Sequence, residues 1–104
     1  MARAESRGRR PFTAVFASND QTAFGARMAM HRRGIRVPED ISIVGVDDLP
    51  ASSYVTPAQT TVRQPLFELG CYAAAALRRL MGHDVAALPM PAIELVIRDT
   101  TRRI

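Results

Sequence analysis

Residues 41–46 read ISIVGV, apolar except for one serine. Six residues are too few for a helix with a core face of its own. An almost unbroken apolar run of this length suits a parallel strand covered on both faces. Parallel partners require crossover connections of a dozen or more residues, usually helical, so this run directs the chain to the α/β class. Residues 12–17 (FTAVFA), between Pro11 and Ser18-Asn19-Asp20, read as a second buried strand. The segment 21–33 is the helix that joins the two. Asp20 suits its N-cap, Arg32 and Arg33 suit the negative end of its dipole, and Gly34 suits the stop beyond it.

After Asp47-Asp48 the pattern lapses. Residues 49–64 carry two prolines, two serines and three threonines without clear periodicity and read as a long loop. Pro65 is placed to open a helix with a core-facing stripe of Leu66, Leu69, Ala73, Ala76/Leu77 and Leu80, ended by Gly82. Beyond an extended linker around Pro89 and Pro91, residues 93–97 read as a last strand. The order β-α-β-loop-α-β implies a parallel sheet with crossover helices. Residues 1–10 are polar and irregular, and are expected to be disordered or a remnant of an earlier element.

Composition removes several kinds of chemistry. All 14 basic residues are arginine, so a P-loop or a Schiff-base lysine is excluded. The net charge of +4 suggests nucleic acid, but the excess sits at the two ends: residues 11–97 hold seven arginines against eight acids. A terminal run of this kind is usually solvated. No apolar run approaches the ~20 residues of a membrane helix, and the arginine-rich start has no apolar stretch behind it to act as a leader. Cys71 is alone, and His31 and His83 lie far apart at helix ends with no evident third ligand. Neither a metal nor a cofactor is expected, and the single cysteine fits a cytoplasmic protein.

In an open parallel sheet, ligands bind outside the carboxyl ends of the strands. Two strands here end in polar clusters, Ser18-Asn19-Asp20 and Asp47-Asp48. If the strands are neighbours, the clusters share one rim. A carboxylate accepts two hydroxyl protons and an amide both donates and accepts, a combination suited to a polyhydroxylated small molecule such as a sugar. The plainer alternative, that Asp20 and one of the Asp47/Asp48 pair cap helices and turns, has the same signature. The helix at 21–33 also carries two apolar seams. Ala23, Ala26 and Met30 suffice to pack on a sheet; Phe24 and Met28, with Arg27 between the seams, suggest contact with something else.

These segments carry a family resemblance. FASNDQTAFGA, RRGIRVPEDISIVGVDD, TTVRQP and IELVIRDTT, in that order and spacing, resemble the C-terminal part of the effector-sensing, periplasmic-binding-protein-like domain of LacI/GalR-type transcriptional regulators. The resemblance spans about residues 11–101. It implies a fold of two α/β lobes closing on a small effector, often a sugar or nucleobase. It implies that Asn19, Asp47 and Gln64 face the effector, with Asp20 and Asp48 as structural caps beside them. It assigns residues 11–62 to one lobe, the helix within 63–90 to the other, and 91–104 to a final strand and tail. It places a dimer interface on Phe24, Arg27 and Met28 and on the neighbouring loop with Tyr54.

Two local departures stand out: Val46 where the family usually has an aromatic residue, and Ala58-Gln59 where it has Pro-Leu. The resemblance also covers only the last third of such a regulator, so operator DNA would be bound only through an N-terminal domain absent here. The helix of the other lobe should then lack part of its cover. The expected function is effector sensing and dimerisation, without catalysis and without a membrane partner. The alternatives are a phosphoryl-transfer enzyme holding Mg²⁺ on Asp20, Asp47 and Asp48, and a solute-binding protein of a transporter.

Overall fold

A computed structural model of the chain describes residues 11–104, and the expected N-terminal remnant at 1–10 lies outside the described residues. The elements are β1 (Ala14–Phe16), α1 (Asp20–Arg32), β2 (Ser42–Val46), a single 3-10 turn (Pro50–Ser53), β3 (Thr61–Arg63), α2 (Leu66–Leu80) and β4 (Glu94–Val96). The strands form one sheet in the order β1-β2-β3-β4. β1 runs parallel to β2, with Ala14 opposite Ser42 and Phe16 opposite Val44. β2 runs parallel to β3, with Gly45 opposite Thr61. The carboxyl ends of three strands therefore open on one side. Among the described residues no helix is long and apolar enough to cross a membrane. The chain divides into two compact units, one that ends at Arg63 and resumes over Leu95–Ile104, and one formed by Gln64–Glu94.

In the first unit the core forms where the apolar pattern placed it. Ile41 and Ile43 of the central strand are buried with Ala17, Ala23, Met30 and Ile35, and Val15, Ala26 and Val37 pack against them. The Ala23/Met30 seam is thus the face that α1 lays on the sheet. α1 ends as its sequence requires: Gly34 follows in the left-handed region, φ +73°, where a side chain would be strained.

Two expectations are corrected. The run FTAVFA is not a buried strand. β1 is the edge of the sheet, and Phe12 and Phe16 remain 49% and 70% exposed, because an apolar run alone does not tell an edge from a centre. The stretch 49–64 is not a plain loop, since it holds the 3-10 turn and β3. Ser52, Gln59, Thr60 and Thr61 in it are all buried, held by side-chain hydrogen bonds that leave no apolar period. The segment beyond β4 adds a further partner to β2 through the buried Thr100. Ile43 N donates to Thr100 O (2.9 Å), Thr100 Oγ1 to Ile43 O (2.8 Å) and Thr60 N to Thr100 Oγ1 (2.9 Å). Residues 99–101 thereby lie beside the first half of β2, where β3 lies beside the second.

The second unit consists of α2 and the irregular chain after it. The stripe expected to face a core does not find one there. Leu66, Leu77 and Leu80 are exposed, the last at 86%, and Ala75 is the buried residue of the helix.

Candidate functional site

The pairing of β1 with β2 sets Asn19 and Asp47 at the ends of adjacent parallel strands, on one rim. Asn19, not Asp20, is the N-cap of α1. Its backbone is extended (φ −157°) and its Oδ1 accepts from Thr22 N at 2.8 Å. With the oxygen turned to the helix, the side-chain nitrogen carries two N–H donors for an outside acceptor.

Asp20 is corrected from a cap to a buried hub. It is fully buried, and its carboxylate accepts from Ser52 Oγ (2.6 Å), Thr61 Oγ1 (2.6 Å) and Leu49 N (2.9 Å). One side chain thereby ties α1, the 3-10 turn and β3 together. Gly45 makes this possible: a Cβ there would collide with Asp20 Oδ1 and come within 2.9 Å of Gln59 Nε2. A glycine inside a strand often marks such a close approach.

Asp47 and Asp48 both have positive φ, 114° and 57°. This region is uncommon for any residue but glycine, though less so for aspartate. Asp47 N donates to Val62 O at 2.8 Å. Asp48 is likewise not a helix cap, because its carboxylate holds two guanidinium groups. Oδ1 accepts from Arg98 Nη2 (2.7 Å) and Oδ2 from Arg63 Nε (2.8 Å). Burial by itself would raise the Asp48 carboxyl. The hydrogen bonds and charges of Arg63 and Arg98 outweigh it and hold the group below its ordinary value. Gln64 heads the second unit and is half-buried.

The second seam of α1 lines a different hollow. A groove of about 710 Å³ is walled by Phe24, Arg27, Met28 and Ile35 on one side and Val55 and Pro57 on the other. Met28 and, on the neighbouring turn, Tyr54 are 57% and 72% exposed. Arg27 is only partly available to an outside partner. Its Nη1 donates to Gln59 Oε1 (3.0 Å) and its Nη2 to Pro57 O (2.6 Å), and burial lowers its pKa from the ordinary value.

Among the described residues no three metal-ligating side chains converge. The carboxylates of Asp20 and Asp48 are already engaged by the protein's own donors, which speaks against the Mg²⁺-binding alternative. Sequence reasoning missed Gln59, Thr60, Thr61, Thr100 and Arg98. Gly45 inside an apolar strand was the available signal that something polar passes close by.

A model of the periplasmic binding protein-like domain matches residues 1–101. The chain is 40% identical over 96 residues to the probable HTH-type transcriptional repressor ExuR of Bacillus subtilis, covering 90% of this chain and 29% of that protein. Among solved structures, a LacI family transcriptional regulator from Enterococcus faecalis with bound ribose superposes with a TM-score of 0.72 at 35% identity, covering 89% of this chain and 36% of that one. The lac repressor dimer bound to operator and the anti-inducer ONPF superposes with a TM-score of 0.73 at 39% identity, covering 86% and 32%. The chain thus spans about a third or less of the length of the proteins it matches. It belongs to the periplasmic binding protein-like domain family, in the form found in the effector-binding domains of LacI-family transcriptional regulators.

Proposed function

We propose that this chain is the effector-sensing and dimerisation module of a LacI/GalR-type transcriptional regulator, that its effector is a carbohydrate, and that it is not an enzyme. The observation that carries the reading is the parallel β1–β2 pairing, which gives Asn19 and Asp47 a common rim. Asn19 offers N–H donors and Asp47 a carboxylate, so a hydroxyl between them can accept from one and donate to the other. Each hydrogen bond to the charged group contributes roughly 1.5–3 kcal/mol, enough to distinguish hydroxyl patterns. The ribose in the Enterococcus regulator supports the ligand class. Gln64 as a third contact rests on the family resemblance alone. Operator binding belongs, on this reading, to another part of such a regulator, which acts in the cytoplasm.

The dimer part of the reading rests on the groove between α1 and residues 55–57. Phe24 and Met28 would seat there against a second copy, with Tyr54 at the margin and Arg27 bracing the wall from within.

The test is a titration of a pentose and hexose panel against the full chain by calorimetry, with Asp47→Ala as the control. At least one sugar should bind, and the variant should bind it at least about tenfold more weakly. A panel with no binder, or a binder indifferent to Asp47, would contradict the reading.

A further inference from the structure

The left-handed pair Asp47-Asp48 is held from outside its own strand. Asp47 N is bonded to β3 through Val62 O (2.8 Å), and Asp48 N donates to Thr61 Oγ1 (3.3 Å). Leu49 N, next in the chain, is fixed on Asp20 (2.9 Å). These anchors pin the backbone amides and leave the Asp48 side chain to be fixed. That task falls to Arg98, 50 residues further along the chain. Its Nη2 donates to Asp48 Oδ1 (2.7 Å), and its Nη1 donates to Gln59 O (2.9 Å). Its own backbone N–H is fixed on Thr60 Oγ1 (2.9 Å). The Arg98 side chain is only 17% exposed, whereas Arg63, the second partner of Asp48, is 46% exposed. A planar guanidinium donating along two edges fixes direction as well as distance.

We propose that Arg98 is a positioning residue for the effector site: by clamping Asp48 to the Gln59 carbonyl it holds Asp47 in the left-handed conformation that sets the direction of the Asp47 carboxylate. Uncommon backbone conformations persist only where their surroundings over-determine them, and they cluster at binding sites. The lowered pKa of Asp48 agrees with a clamp that is closed in the folded chain. The proposal rests on the reading of Asp47 as an effector contact. Arg63 plays the lesser part because its side chain is nearer to water, where an ion pair is worth less.

The experiment compares the full chain with Arg98→Ala and Arg98→Lys. The first readout is the Cα chemical shifts and HN–Hα couplings of Asp47 and Asp48, with Ala23 and Ile43 reporting on the core. In Arg98→Ala the Asp47 and Asp48 signals should leave their left-handed values while Ala23 and Ile43 stay in place. Arg98→Lys keeps the charge but can reach only one acceptor, so it should show a smaller shift of the same sign. Unmoved Asp47 signals in either folded variant would overturn the proposal. If Arg98→Ala does not fold, the lysine variant decides alone.

The second readout is ribose affinity by calorimetry. Arg98→Ala should weaken binding at least tenfold, and Arg98→Ala combined with Asp47→Ala should be no weaker than Asp47→Ala alone. Additive losses would mean that Arg98 acts independently of Asp47, against the proposal. A wild-type chain that does not bind ribose would count against ribose as effector only, and the Asp47 signals would still decide the role of Arg98.

Discussion

Gly45 shows how one missing methyl group can organise a site. The buried Asp20 carboxylate and the Gln59 amide lie where its side chain would be. Gly45→Ala should therefore cost about 1–3 kcal/mol or more, the usual range for overpacking, read as a fall in the urea midpoint. Gly25 makes the contrast: it lies inside α1 with nothing near its absent Cβ. Gly25→Ala should stabilise by up to about 1 kcal/mol through helix propensity alone. Asp48 adds a pH dependence. Its folded pKa is depressed, so the unfolded chain binds the proton more readily in acid. The stabilisation it gives is complete above the ordinary aspartate range and fades as pH falls through the lower folded value. Asp48→Asn should flatten that part of the acid limb of stability against pH, measured by urea denaturation from neutral pH downward.

At the scale of elements, what was legible followed the apolar period. β2 and α1 stood out because Ile41, Ile43, Ala23 and Met30 bury against one another, and repeating apolar positions record such burial directly. β3 and the 98–102 segment were not legible. They are held by Asp20, Thr60 and Thr100 through bonds spanning about forty residues or more, and such bonds leave no local pattern. The site was half legible for the same reason. The clusters at 18–20 and 47–48 announced a rim, but which aspartate is buried and which is clamped depends on partners far along the chain. α2 shows the converse: its amphipathic stripe is plain in sequence, yet Leu80 is 86% exposed. Leu80→Gln should change stability by no more than about 0.5 kcal/mol and lower the binding of a hydrophobic dye. Ile43→Ala, fully buried in β2, should cost about 2–5 kcal/mol. Both are read by urea denaturation, with dye fluorescence alongside.

For the whole molecule, the groove and the rim make separate demands. The groove beside Phe24 and Met28 mixes apolar walls with Arg27, Arg36 and Glu39, and neither Asp47 nor Asp48 lines it. If two copies meet there, Met28→Glu should convert dimers to monomers in sedimentation equilibrium while leaving the fold and the Asp47 signals intact. A variant that stays dimeric would move the interface elsewhere. The sensing reading stands or falls on the rim itself. The most direct measurement is the set of nuclear Overhauser contacts between the carbon-bound protons of a bound monosaccharide and the protein. Contacts to both the Asn19 side-chain amide and the Asp47 backbone amide are the predicted result. A bound sugar that touches neither, and instead reports from the Phe24–Met28 groove, would contradict the account.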